Sequence, residues 1–489
     1  MSATWDLAVD VDRDASLPAY LQIARALTAD IQRGRLPPGT RLPGSRRLAA
    51  TLQVHRNTVL AALSELMAEG WIETTPARGT FVARAIPVDR GRPFSPRLGV
   101  RRGAPARVAF SLPPPPAAYR QPVLPRGTLN LSSGAPDVRL VPVRAIGRAW
   151  RRAIVLGGRD LLRYGDPEGH PALRAALASM LSATRGLSIT ARDVLVTRGS
   201  QMALMLAAKA LVRPGDAVAV ESLGYRPAWE AFRAAGATLV PIPVDRDGID
   251  VDRLAALASS RPLAAIYVTP HHQYPTTVTL KAARRLALLE LARSRRFAII
   301  EDDYDHEFHY DGRPVLPLAS ADTSGVVVYV GTLSKILAPG LRAGYLVAPT
   351  AVIESAAAIR SLLDVQGDLA TEAAIAALIE DGELQRHVAR VRRVYANRRE
   401  ILASALGRTF GDSIEFTVAA GGMALWVRLR MAVDVDAWAL RSVRHGVSWY
   451  TARRYAFDGR SRPFARFSFA WLNERELPEA VKRLAAALE

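Results

Sequence analysis

Between residues 18 and 84 the apolar positions recur every three or four residues. Tyr20, Ile23, Leu27 and Ile31 mark one face of a helix that Pro18 opens and Gly34 stops. After a Pro-Pro-Gly turn, Ser45 is positioned to cap a short helix over 46–52, with Leu48, Ala49 and Leu52 inward. A third helix starts around Val54 and His55, carries Val59, Leu63, Leu66 and Met67 on its apolar face, and ends at Gly70. The period then shortens to two, and 71–75 and 79–83 read as strands joined by a turn at 76–78. From 85 to 127 no periodicity survives. From 128 onward, β-branched apolar runs alternate with helical patterns. Strands are expected over 194–197, 217–221, 238–242, 264–269, 297–301, 326–330 and 344–347. That alternation predicts an α/β domain with a mainly parallel or mixed sheet.

The pattern thus divides the chain into a tail (1–17), a small α+β head (18–84), a linker (85–127) and an α/β body (128–489). The linker holds ten prolines, with Pro113–Pro116 in a row, and repeated arginines, which suits a semi-extended spacer. A chain of 489 residues is too long for one ordinary core. No apolar run approaches the roughly 20 residues of a membrane span, and the acidic N-terminus lacks a signal-peptide pattern. The absence of cysteine excludes disulfides and thiolate metal sites and accords with a cytoplasmic protein.

Charge sharpens the reading of the head. The net charge is +19, which points to a polyanion partner. Three helices and a hairpin form a winged helix-turn-helix pattern, whose third helix would enter the major groove of double-stranded DNA. Arg56, Asn57 and Thr58 stand at its N-terminus, and Arg and Asn carry the donors that read guanine and adenine edges. Ser45, Arg46 and Arg47 begin the preceding helix and suit phosphates; Arg78 sits at the wing tip. A small helical domain with a solvated basic face gives the same pattern.

In the body, lysine is the informative residue. Of 65 basic residues only Lys209, Lys281, Lys335 and Lys482 are lysine, leaving 65 − 4 = 61 arginines. Arginine stays protonated, whereas a lysine amine can be tuned to form a Schiff base. Lys335 follows the apolar run 326–330, with hydroxyls at Thr332 and Ser334 before it and Arg342 after it. Other polar signals also fall at strand ends: the Gly-Ser turn at Ser200, Tyr225, the run from His271 to Thr277, and Glu301 to Asp305. An amine, a carboxylate, an aromatic ring and a phosphate cradle at successive strand ends are the parts of a pyridoxal phosphate site. A zinc site from Asp305, His306 and His309 competes for the same loop, but the lysine-based reading uses that loop better, so no metal is expected.

Two resemblances follow from the motifs. The segment LPAYLQIARALTADIQRGRLPPGTRLPGSRRLAATLQVHRNTVLAALSELMAEGWIETTPARGTFVA resembles the DNA-binding domain of GntR-type regulators, with Gly44 and His55 departing from the usual pattern. Residues 128–489 resemble fold-type I aminotransferases through LRYGDPEGHPALRAALA, TRGSQMALML, ESLGYRPAW, TPHHQYPTT, IIEDDYDHEF, GTLSKILAPGLRAGY and RFSFAWL. Joined, they are similar to the MocR/GabR-type transcriptional regulators.

The resemblance implies that Lys335 carries the cofactor as an internal aldimine, exchanged for an external one with an amino compound that the protein senses. It implies Asp302 at the pyridine nitrogen, Tyr304 at the ring hydroxyl and Tyr225 stacked on the ring. Ser200, Gln201, Thr332 and Arg342 would hold the phosphate, with Tyr164 reaching it from a partner subunit of a homodimer. Arg466 would take a ligand carboxylate. Tyr274 stands where aminotransferases usually have asparagine, which the resemblance implies favours a regulator over an enzyme, and Thr277 stands where glycine is frequent, narrowing the turn. The rivals are a working aminotransferase with a DNA-binding appendage, a sensor of pyridoxal phosphate itself, and a cofactor-free scaffold.

Overall fold

The computed structural model describes residues 11–12, 17–75, 78–84, 110–112, 123–132 and 134–488. Most of the expected tail and linker, with the Pro113–Pro116 run, lies outside the described residues. The chain falls into two compact units that divide between Pro113 and Pro114.

In the first unit, α1 (Ala19–Gln32), α2 (Ser45–Thr51) and α3 (Arg56–Ala68) precede a hairpin of β1 (Ile72–Thr75) and β2 (Gly79–Val82). Ile23, Leu27, Leu48, Val59, Leu63, Leu66 and Val82 close one core. Two expectations change. Ser45 does not cap α2; Gly44 occupies the cap position without a side chain to offer, and Ser45 is the first helical residue. Met67 is not core but 42 % exposed; its sulfur accepts a hydrogen bond from Thr74 Oγ1 at 3.2 Å. The cap of α3 is His55, whose Nδ1 accepts from the Asn57 amide at 3.3 Å. The departure at His55 therefore satisfies one of the unpaired N–H groups that every helix start exposes.

The second unit is built on a seven-stranded sheet. Its strands are β3 (Val194–Thr197), β4 (Ala217–Glu221), β5 (Thr238–Ile242), β6 (Ala265–Val268), β7 (Ala298–Asp303), β8 (Val327–Thr332) and β9 (Gly344–Val347). Their spatial order is β3-β9-β8-β7-β6-β4-β5. All pairs are parallel except those of β9 with β8 and β3. The inner strands are mostly apolar because both faces are covered, whereas the edge strand β5 is partly exposed. Ala217 and Ala219 feed the core on one face, Val218 and Val220 the core on the other. α4 (Val143–Gly157) packs on the helix Leu369–Glu380, while α5 (Pro171–Arg185), α6 (Ser200–Leu211) and α7 (Arg226–Ala234) are among the helices packed on the sheet. A smaller antiparallel sheet follows, in the order Ile414–Glu415, Ala424–Leu429, Phe464–Ser468, Tyr450–Thr451.

β7 and β8 run two residues further than the apolar pattern suggested. Asp302 and Asp303 continue the ladder opposite Val330 and Gly331, so the acids expected just beyond a strand lie within it and are buried. Central strands of a parallel sheet end facing the crevice where such folds take ligands.

Candidate functional site

A cavity of about 560 Å³ opens at the C-terminal ends of these strands. Lys335, Asp302, Tyr304, Tyr225, Ser200, Gln201, Thr332, Arg342 and Arg466 all line it. They come from separate strand ends and from the second sheet, which explains why they are scattered over 267 residues of sequence yet meet here.

Lys335 donates from Nζ to the Gly134 carbonyl at 2.6 Å. Burial, and then the charge of Arg466, lower its pKa to about 8, while Asp305 and Asp302 pull the other way. Asp302 accepts from the Tyr267 hydroxyl at Oδ2, 2.8 Å away; its Oδ1 is buried without a protein partner. Burial pushes its pKa up to about 7, against the Tyr267 hydrogen bond and with the help of Asp303. Arg466, 2 % exposed, has neither Nε nor Nη1 paired, and its guanidinium lies 5.0 Å from the Tyr274 ring centre. An unpaired buried guanidinium is costly and is expected where an anion arrives.

The N-terminus of α6 begins at Ser200, after Gly199 with φ +78°. A Cβ on Gly199 would meet the Arg342 guanidinium at 2.8 Å, so glycine lets the arginine approach the helix start. Helix start and arginine together favour an anion. The Gln201 side chain donates to the Pro227 carbonyl at 2.8 Å, while its Oε1 is buried without a partner. Thr332 Oγ1 accepts from the Ser334 amide at 3.1 Å, and Arg342 donates to the Arg198 carbonyl at 2.9 Å. Tyr304 donates its hydroxyl to the His272 carbonyl at 3.0 Å. Tyr225 and Tyr274 pack edge to face with centroids 5.6 Å apart.

Of the expected site residues in the body, Tyr164 is the one that does not line the cavity. It is 88 % exposed, in a segment joined to 362–366 through Gln366, whose amide contacts Gly165 and Arg163. The sequence missed Tyr267 and the Gly134 carbonyl. A tyrosine inside the aliphatic run 264–269 was the available signal for the first; a backbone acceptor leaves none.

In the head, Arg46, Arg47, Arg56, Asn57 and Arg78 are exposed, while Ser45 and Thr58 are half-buried. Arg56 Nε donates to Ser45 Oγ at 3.3 Å, linking the starts of α2 and α3. No helix among the described residues is long and apolar enough to cross a membrane.

Comparison with known proteins gives a separate line of evidence. The family described as "Bacterial regulatory proteins, gntR family" matches residues 19–82, and "Aminotransferase class I and II" matches residues 126–484. The chain is 33 % identical to the "Probable rhizopine catabolism regulatory protein MocR" of Rhizobium meliloti, over 98 % of this chain and 95 % of that one. It is 32 % identical to the transcriptional regulator TauR of Rhodobacter capsulatus, over 96 % of both. The α-aminoadipate aminotransferase LysN of Thermus thermophilus, solved with N-(5'-phosphopyridoxyl)-L-leucine, superposes with a TM-score of 0.69 at 27 % identity, over 74 % of this chain and 92 % of that one.

Proposed function

The chain belongs to the MocR-type regulators of the gntR family, DNA-binding proteins with an aminotransferase-fold body, and from that premise we propose that it senses an amino acid through pyridoxal phosphate bound at Lys335. The observation that carries the reading is one cavity holding a lysine amine, a buried carboxylate with an unpaired oxygen, and a buried arginine with unpaired donors.

The residues present fit the cofactor. Asp302 Oδ1 is a buried acceptor lacking a donor, which a protonated ring nitrogen would supply. The start of α6 with Ser200 and Gln201, together with Thr332 and Arg342, suits a phosphate. When bound, the cofactor would supply a carbon that bonds amines reversibly and a ring that withdraws electrons. Lys335, with its pKa near 8, keeps a fraction of its amine neutral at pH 7 and so available for that bond. Asp302 would hold a proton at the ring nitrogen, Tyr225 and Tyr304 would bound the ring, and Arg466 would orient a ligand carboxylate. Displacement of Lys335 by the ligand amine is the event that would distinguish the two states of the body.

The head, taken as 18–84, would bind a DNA operator through Ser45, Arg46, Arg47, Arg56, Asn57, Thr58 and Arg78, in the cytoplasm. A homodimer would cover the exposed Leu162, Tyr164, Leu362 and Leu363, bringing Tyr164 to the partner's phosphate site.

A panel of amines and amino acids, titrated into cofactor-loaded protein while the visible spectrum and operator affinity are followed, tests the reading. One ligand should change both, and Lys335→Ala should lose both responses while still folding. Steady turnover with a keto acid and no change in DNA binding would instead favour an enzyme. No visible band after addition of pyridoxal phosphate would sink the proposal.

A further inference from the structure

Four of the eight histidines converge beside the cavity. The ring centres of His271 lie 4.2 Å from His272, 4.7 Å from His306 and 5.9 Å from His309. His272 and His309 are near parallel, 6.2 Å apart. One ring nitrogen from each of His271, His272 and His309 lies within 4.8 Å of the others. His271 and His272 follow β6 and His309 follows β7. The parallel pairing of β6 with β7 brings the two segments together at the strand ends, and the 420–422 strip packs on the second, Gly421 bridging His309 and the Gly422 amide donating to the Phe308 carbonyl at 2.8 Å.

The polar accounting inside this cluster is incomplete. Both ring nitrogens of His271 and Nδ1 of His309 are buried without a partner. Such groups are costly to bury unpaired, and proteins seldom leave several together. His272 differs in the way a metal ligand would: its Nδ1 pairs with Asp305 Oδ1 at 2.8 Å, which leaves Nε2 with a free lone pair. A carboxylate behind a histidine fixes ring and tautomer in metal sites. A Cβ on Gly421 would collide with His272 at Nε2, so glycine allows the close approach of the 421 backbone to that ring. Negative charge stands nearby on Asp305 and on Asp303, whose Oδ2 is 3.1 Å from His306 Nδ1.

We propose that His271, His272 and His309 bind a first-row divalent metal ion of the zinc class, with Asp305 orienting His272 and the fourth position left to water or an outside ligand. Three imidazoles without thiolates suit such an ion. It would tie the loop bearing Tyr274 to the segment bearing Tyr304, and both tyrosines line the cavity. This set differs from the one that sequence spacing suggested, because His306 packs against His271 rather than joining the three. The site stands independently of the cofactor reading, since none of its ligands lines the cavity.

The test is calorimetric titration of Zn²⁺ into the untagged, chelator-stripped full chain, with Tm recorded in parallel. One ion per chain should bind with sub-micromolar affinity and raise Tm. His309→Gln, at a half-buried position, should weaken binding by at least about tenfold, while exposed His445→Ala should leave it unchanged. Absence of saturable binding to the wild type, or equal affinity in His309→Gln, would overturn the proposal; folding of each variant is checked by its own melting transition.

Discussion

The two units carry their chemistry in opposite surroundings. In the head, Arg46, Arg47, Arg56 and Asn57 stand in solvent on a small closed core. In the body, Asp302 and Arg466 are buried, and burial moves Asp302 and Lys335 toward neutral pH. An exposed cation meets its partner through long-range attraction that salt screens. A buried unpaired group contributes by short-range complementarity and has already lost its water. The head is therefore expected to respond to ionic strength, and the body to ligand structure and pH.

The largest effect should come from Arg466→Ala. If its open donors receive a carboxylate, truncation costs about 2–5 kcal/mol of affinity for an amino acid. The corresponding decarboxylated amine should lose far less. Binding measured for both ligands decides it: an equal loss would mean that Arg466 only shapes the cavity and that the contrast with the head is overstated.

Asp302 gives the body a pH signature that the head lacks. Its pKa is raised from 3.8 to about 7, so the folded cofactor-free chain holds a proton there that the unfolded chain releases. The stabilising contribution is complete below the unfolded pKa and is lost as pH climbs from about 4 to 7. Asp302→Asn removes this dependence. Relative to wild type the variant should gain stability across that window, by up to about 4 kcal/mol at one pKa unit per 1.36 kcal/mol. Urea denaturation of both cofactor-free proteins at pH 5 and pH 8 measures the gap. A gap that does not widen with pH would show that Asp302 is ionised in the free protein.

For the head the expected signature is salt. Arg56→Ala should weaken operator binding by about 1–3 kcal/mol if Arg56 reads a base, and Arg78→Ala should instead lower the salt slope by about 1. Neither should alter the body's spectrum. Operator binding measured over a salt series separates the two roles, and an Arg56→Ala protein with unchanged affinity would remove α3 from the groove.

These contrasts also explain what could be seen in the sequence. Strands and helices were legible because apolar spacing reports burial directly. Lys335 and the acids around Asp302 were legible because their types are chemically conspicuous at strand ends, whereas Arg466, one of 61 arginines and mid-strand in Phe464–Ser468, was reached only through the family resemblance. The cap at His55 escaped, since a histidine is rarely read as a helix cap. So did the exposure of Met67, which depends on where the hairpin lies. The histidine cluster is a product of tertiary folding: the spacing of Asp305, His306 and His309 hinted at a metal, but the parallel pairing of β6 with β7 is what brings His309 to His271 and His272.

The smallest expected effect compares backbone rather than charge. Both units hold a non-glycine residue in the left-handed region, Gln53 at φ +50° in the turn before α3 and Thr277 at φ +63° beside the cavity. An L-residue there costs about 1–2 kcal/mol, more when β-branched, while glycine returns roughly 0.5–1 kcal/mol of that through unfolded-state entropy. Gln53→Gly should therefore be neutral to mildly stabilising, by up to about 1 kcal/mol. Thr277→Gly loses the hydrogen bond from Oγ1 to the Thr276 carbonyl and should still stabilise the body by about 1 kcal/mol. Chemical denaturation of the two variants measures the difference. If Thr277→Gly is destabilising, the turn depends on the threonine side chain, and the body's site is held by its own loop chemistry rather than strained against it.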